Sequence, residues 1–496
     1  MTCEHKKWIS PACQNEMTDN SLLRDEFFWL YTINKASVVV NTSLGLLDRQ
    51  LARRIAQGLE VVYKKGCAEK AVRPFRVIDF EPFLIAEAGV EATMLHVGRS
   101  SQDMHATYRS TIMRDNLISL MQSLVEVMRT LQSMAQANVD TIVPNYTNGV
   151  AAQPNSYAHY LLGFQSAFNR DAERLRELYR RVNECAMGTT VLNGTSWPLD
   201  RERMAAYLGF DRPVENAYDA AQFKSTDEAT ELAAVLTAIA LHVCTFIQDV
   251  SVQYAQPRPW ILLQEGGENT YVSSAMPQKR NPGLMIYTRI AASKLLGEAN
   301  TIVMLAHNIV PGMTDPKTPS DNTVHFRSAI DTLKRFNRVL KALRINPLRA
   351  LEELNLDWTA SQEIADVFVR EHGLPFRIGH HVASHVVSYA KAHNILPADF
   401  PHDLLCKIYR EVIETEYPQG CPECPMSEEQ WKRTLDPRSI IRNRRTSGGP
   451  QPDELERCLA GMQLKIEAHE KWSEQAVQCI DQSLERLDED FAAFLI

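Results

Sequence analysis

Residues Ser110–Ala137 read STIMRDNLISLMQSLVEVMRTLQSMAQA. Met113, Leu117, Leu120, Leu124, Met128 and Leu131 recur at steps of three and four, the period of one face of a helix. No glycine or proline interrupts the run. Outward from it, Ser156–Glu184 has the same character, with a charged second half, RDAERLRELYRRVNE, expected to be half solvated. Thr226–Tyr254 is apolar on nearly every side, as a helix buried among other helices is. Leu284–Met304 follows Pro282 as another long helical stretch. Alternating strand patterns and repeats of fixed period are absent. The class expected is all-α, with a bundle of long helices from about 104 to 350.

Composition bounds the function. The chain has 496 residues, 45% apolar and 23% charged, with a formal charge of −8. A mildly acidic surface argues against a nucleic-acid or anionic-membrane partner. Ten cysteines in so long a chain form no disulfide framework. The start, MTCEHKKWISPACQNEMTDN, has no apolar core of the secretory kind. The most apolar run, Leu232–Ile247, is short for a bilayer span and contains His242. A cytoplasmic location is expected.

Three irregular segments interrupt the helices: HVGRSSQD (His96–Asp103), VPNYTNGVAAQP (Val143–Pro154) and EGGENTYVSSAMPQKRNP (Glu265–Pro282). Each ends where a long helix begins. They are rich in Ser, Thr, Asn, Gln and Gly, and a helix start with free N–H groups attracts anions. Their convergence would make a carboxylate or phosphate pocket; the alternative is ordinary capping loops.

Within the third segment, SSAMPQKRNP (Ser273–Pro282) suits neither helix nor strand. A proton on the carbon next to a carboxylate is very weakly acidic. Its removal needs a nearby base and fixed donors around the doubly charged aci-carboxylate. Ser273 or Ser274 could be that base if ionised beside a cation and several N–H groups. Lys279, Arg280 and Asn281 lie on the same short loop, Pro277 and Pro282 stiffen it, and Gly266 and Gly267 would let it close over substrate.

This decapeptide resembles the signature loop of the fumarase/aspartase superfamily, lyases that release fumarate from succinyl compounds by anti elimination. By that resemblance the base is Ser273, with Lys279 and Asn281 as its catalytic partners and Ser274 and Met276 beside the substrate. Val272 stands where the family has glycine. The argininosuccinate lyase branch is resembled nearly end to end, through HVGRSSQDMHAT, MGTTVLNGTSWPLDRERMAAYLGF, GLPFRIGHHVASHVV and RTSGGPQP. The resemblance implies a homotetramer built around a twenty-helix core, with each active site drawn from three subunits. It also implies three domains: 1–103, a central bundle 104–352 carrying the signature loop 265–282, and a carboxyl-terminal helical domain 353–496.

The departures bear on substrate. The family's second loop carries a His where Asn148 stands; Thr147 keeps a carboxylate-binding role, with Gln153 nearby. Asn148 cannot donate a proton at a useful pKa but can hydrogen-bond a carboxylate. In the first loop Ser100, Ser101 and Gln102 remain to bind carboxylate, one arginine is missing, and Arg99 is the expected compensation. The branch's Tyr and Gln for the guanidinium end are missing from Val310–Asn322, where Asp315, Lys317 and Asp321 stand instead. A pocket without planar partners disfavours arginine. The reading is therefore a carbon–nitrogen lyase joining fumarate to a different amine, with Asp315 and Glu268 as candidate partners for a cation. The competing readings are argininosuccinate lyase proper and an inactive, crystallin-like helical protein.

The remaining motifs carry less. Cys421 and Cys424 in CPECP have metal-like spacing but lack the second pair that zinc needs, so no metal is expected and the segment reads as a surface insertion. His105 is the candidate substitute acid. His242 reads as a satisfied core residue, His380 and His381 as packing groups, and RNRR (Arg442–Arg445) as domain surface. No phosphate-binding glycine fingerprint appears, so no cofactor is expected.

Overall fold

The computed structural model describes residues 8–16, 22–68, 70–313 and 319–496. Helices α1 (Glu26–Ser43), α2 (Arg49–Cys67) and α3 (Val77–Ala88) pack in sequence. Asp25 and Asp48 cap the first two by accepting from backbone N–H groups of the first turn. The long helices follow. α4 (Ser101–Gln136) and α5 (Tyr157–Val182) pack side by side. The short α6 (Arg201–Tyr207) and α7 (Ala217–Ala221) lead to α8 (Phe223–Tyr254), α9 (Gly283–Ala306) and α10 (Pro319–Ala342).

The periodic residues that defined α4 are all buried, Leu117, Leu120, Leu124, Met128 and Leu131 completely. Each such side chain contributes about 1.5–3 kcal/mol relative to exposure. They meet α5, α10 and the last helix. α8 is longer than the apolar run at its centre suggested: 32 residues, long and apolar enough to cross a membrane. It is nevertheless half-buried within the bundle, against α5, α9 and α10. Ala234, Leu241, Thr245 and Gln248 form its open stripe, so within one chain α8 is not covered on every side as expected.

Short strands join the helix ends. β1 (Ile142–Thr147) and β2 (Val150–Ser156) form an antiparallel hairpin; β3 (Glu184–Cys185) and β4 (Arg212–Pro213) are parallel. β5 (Ile261–Leu263) is antiparallel to β8 (Leu343–Ile345), and β6 (Tyr271–Val272) to β7 (Arg280–Asn281). The second irregular segment is thus a regular hairpin, turned by Asn148 and Gly149 at φ +53° and +79°. Asn-Gly is the preferred pair for such a two-residue turn.

Beyond α11 (Pro347–Asn355), a second core runs from Trp358 to Ile440. It is made by α12 (Ser361–His372), α13 (Phe376–His393), α14 (His402–Glu416), α15 (Glu428–Leu435) and α16 (Pro437–Arg442). The last helix, α17 (Pro452–Ala492), returns to the main core and packs on α4 and α5. The region expected as one domain, 353–496, is therefore divided, because α17 buries Leu455, Ile466, Ile480 and Leu487 in the main core. Residues 26–96 likewise share that core with the bundle.

Candidate active site

The signature loop is a short hairpin that carries Ser273, Lys279 and Asn281. β6 and β7 close its base, where the Asn281 amide donates to the Tyr271 carbonyl at 3.3 Å. Ser273 N–H donates to the Lys279 carbonyl at 3.2 Å, and Lys279 N–H to the Met276 carbonyl at 3.0 Å. Arg280 braces the loop, donating to Glu265 at 3.0 Å and to the Pro277 carbonyl at 2.6 Å. Lys279 is exposed and makes no side-chain ion pair among the described residues. Of the two adjacent cations, Arg280 is structural and Lys279 is open. Gly266 and Gly267 take φ +90° and +57°, a region that side-chain-bearing residues avoid, with open space around them.

Ser273 Oγ accepts from two backbone N–H groups, Met276 at 3.2 Å and Ala275 at 3.4 Å. Donors aimed at an oxygen favour its anionic form. The next serine, Ser274, is exposed, and no described hydrogen bond holds its hydroxyl. Met276 is also exposed.

The first loop is organised by Asp103, which is fully buried. One carboxylate oxygen accepts from the N–H groups of Ser100 at 2.8 Å and Met104 at 3.1 Å. The other accepts from Gly188 at 3.0 Å and Thr190 at 3.2 Å. Ser100 caps α4 and accepts from Gln102 N–H at 3.3 Å. Ser100, Ser101 and Gln102 thus sit together at a helix start suited to a carboxylate. Arg99 does not join them: it turns inward and donates to Ser37 at 2.8 Å and Asn34 at 2.6 Å. Burial lowers its guanidinium to about 10. It is committed to α1 rather than offered as the compensating cation.

Sequence reasoning missed the turn that faces this loop. Thr190 and Val191 take φ +44° and +74°, a region rare for β-branched residues and concentrated at functional sites. Thr190 Oγ1 also donates to the Gly98 carbonyl at 2.9 Å. Neither residue type announces such a conformation; only the neighbouring Gly188 and Gly194 hinted at a turn.

The other expected residues are placed as follows. Thr147 and Asn148 are exposed at the hairpin tip. Gln153, on β2, donates its side-chain amide to Gln362 of α12 and so bridges to the second core. Glu268 pairs with Arg338 and is not free for a cationic amine. Asp315 and Lys317 lie outside the described residues, as does the side chain of Asp321. His105 is not a proton donor: its ring accepts from Val77 N–H at 3.4 Å and burial lowers it to about 4. His242 bonds Asp171 at 2.7 Å as a satisfied core group. His381 pairs with Glu416, and Arg444 donates to Glu363 at 3.1 Å.

The loops are distributed over both ends of the bundle. α4 has 36 residues, so the first loop and the hairpin are separated by about 54 Å of helix. The segment leading into the signature loop lies at the hairpin end, where the Trp260 indole donates to Tyr146 Oη at 3.2 Å. A site using the first loop together with either of the others therefore needs more than one chain.

Comparisons with known proteins identify the family. A family profile described as Lyase matches residues 77–297, and one described as Argininosuccinate lyase C-terminal matches 358–442, nearly the second core. An argininosuccinate lyase of Methanocaldococcus jannaschii is 29% identical over 462 residues, covering 91% of each chain. One of Acetivibrio thermocellus is 30% identical, covering 64% of this chain and 69% of its own. A crystal structure of EDDS lyase in complex with formate superposes with a TM-score of 0.85 at 23% identity, covering 95% of this chain and 92% of that one. A variant of EDDS lyase with bound fumarate gives 0.84 at the same identity and coverage. With the helical bundle, the signature loop and these relatives in place, the chain belongs to the argininosuccinate lyase branch of the fumarase/aspartase superfamily.

Proposed function

We propose that the protein eliminates fumarate from an N-substituted aspartate, or runs the reverse addition of an amine to fumarate. Membership of the branch makes it a carbon–nitrogen lyase of the argininosuccinate lyase-like type. Ser273 Oγ takes the proton from the carbon next to a carboxylate, and the electron pair enters that carboxylate as the aci form. The pair then forms the new double bond as the carbon–nitrogen bond breaks, and the amine leaves with its electrons and takes up a proton. Lys279 and Asn281 steady the charge. Thr147 and Asn148 from a second chain, and Ser100, Ser101 and Gln102 from a third, hold the carboxylates.

The observation that carries this reading is the pair of N–H groups aimed at Ser273 Oγ. The fumarate bound to the EDDS lyase variant supports a succinyl half. A homotetramer would bring together loops that one chain keeps at opposite ends. It is supported by the apolar side chains that α8 and α9 leave open, Leu241, Tyr287 and Val303 among them. The expected location is cytoplasmic.

The amine is expected to differ from arginine. Fumarate consumption, followed by ultraviolet absorbance across an amine panel with Ser273→Ala as control, tests the reading. If no amine depletes fumarate and no N-substituted aspartate releases it, the lyase assignment fails. Rapid production of arginine from argininosuccinate would instead restore the second reading, which the curated relatives favour.

A further inference from the structure

The second core holds a cluster that the lyase chemistry does not use. α14 begins at His402, and Cys406 lies one turn later on the same face. After the helix the chain turns sharply: Gly420 N–H donates to the Tyr417 carbonyl at 2.8 Å. A Cβ at Gly420 would stand 2.5 Å from the Tyr417 ring, so only glycine fits. The loop then brings Cys424 back over the start of α14. The ligand atoms of His402, Cys406 and Cys424 all lie within 4.8 Å of one another.

The imidazole is oriented for coordination. Its Nε2 lies 2.7 Å from the Met426 carbonyl. A carbonyl only accepts, so Nε2 carries the hydrogen and Nδ1 keeps its lone pair. A backbone carbonyl holding the far nitrogen in this way is the usual second partner of a metal-bound histidine. Cys406 Sγ lies 3.8 Å from Nδ1 and 3.7 Å from Nε2, beside the ring rather than beyond its Nδ1 edge. A tetrahedral zinc with Zn–S of about 2.3 Å and Zn–N of about 2.05 Å separates sulfur and nitrogen by about 3.6 Å. Closing on an ion at Nδ1 therefore takes a rotation of the Cys406 side chain toward that edge of the ring, within a cluster whose ligand atoms already lie within 4.8 Å of one another.

The fourth ligand is close in sequence. Cys421 precedes Cys424 by three residues and is exposed, just outside the three-residue cluster. Together the four residues read His-x3-Cys followed by Cys-x2-Cys, two pairs at zinc-ligand spacing. The CxxC had looked solitary because its partner pair is a helical His and Cys rather than a second CxxC. Three thiolates and one imidazole favour Zn2+ over harder cations.

We propose that His402, Cys406, Cys421 and Cys424 bind one structural zinc ion that staples the loop after α14 onto that helix. Cys421 turns inward to complete a closed tetrahedron, and each thiol releases a proton as it becomes a ligand. With no open position, the ion takes no part in the elimination.

The test uses the full chain, purified without chelators from zinc-supplemented medium. Elemental analysis should find one zinc per chain. Cobalt exchanged into the site should give the d–d bands of a tetrahedral ion and sulfur-to-cobalt charge transfer. Cys421→Ser should lower that charge-transfer intensity by about a third, since three thiolates become two. Cys424→Ser should abolish stoichiometric metal while the fumarate assay is retained. Where the Cys424 variant is insoluble, cobalt titration of the chelator-stripped wild-type chain decides alone. Metal far below one per chain with no cobalt uptake, or a Cys406–Cys424 disulfide in the protein purified under reducing conditions, overturns the site. Unchanged charge transfer in Cys421→Ser overturns the four-ligand assignment.

Discussion

Asp103 Oδ2 accepts from Thr190 N–H at 3.2 Å and so ties the start of α4 to a turn in which two β-branched residues have positive φ. The same carboxylate serves four N–H groups in all, two on each oxygen. In Asp103→Asn one oxygen becomes an NH2 group facing two N–H donors that it cannot satisfy. The cost expected is about 2–3 kcal/mol, read as a lower melting temperature at neutral pH. Turnover should fall with it, because the turn and the carboxylate-binding start of α4 lose their common anchor. Unchanged melting would mean that Asp103 is not the anchor.

Ser273→Ala should lower turnover by about 10²–10⁴, the range for loss of a positioned base. The side chain is only half-buried, at the start of a loop whose residues 274–279 are exposed, so melting temperature should not move. Fumarate binding, measured by calorimetry, should persist because Lys279, Asn281 and the helix start are untouched. A variant that retains full rate would remove Ser273 from the chemistry.

These two sites show what residue types disclose and what they conceal. The α4 period and the decapeptide were legible because each is local: one is a repeat along a face, the other a composition that no regular element favours. Asn148 was legible as a departure from the family pattern, but its Asn-Gly turn explains it equally as hairpin chemistry, and the hairpin went unread. The strain at Thr190 and Val191 was invisible, since the partners that hold Thr190, Asp103 and the Gly98 carbonyl, are 87 and 92 residues away. Arg99 was misplaced for the same reason: its partners Ser37 and Asn34 belong to a distant helix.

Loops at opposite ends of α4 make a sharp expectation for mixed oligomers. Gln102→Glu places a negative charge where a carboxylate should bind, and Ser273→Ala removes the base; each should be nearly inactive alone. Co-refolding the two should yield sites that draw an intact first loop from one chain and an intact signature loop from another. Activity well above the sum of the separate preparations is expected. Absence of recovery, with mixed oligomers demonstrated by native mass spectrometry, would show that each chain builds its site alone.

Asp115 provides a pH-dependent test of the core. It is completely buried on α4, and burial pushes its carboxyl from 3.8 up to about 6 despite Arg24 and Arg114. Below pH 3.8 the group is protonated in folded and unfolded chains alike and imposes no cost. As pH rises from there to 6 the unfolded chain ionises first, so folding loses stability; above 6 the loss is complete. A rise of that size corresponds to about 3 kcal/mol. Asp115→Asn keeps the volume and removes the ionisation. The variant should therefore melt above the wild type at pH 8, with the gap shrinking as pH falls from 6 to 4. A gap that is constant across that window would show that Asp115 is held ionised by its arginines and that burial does not dominate.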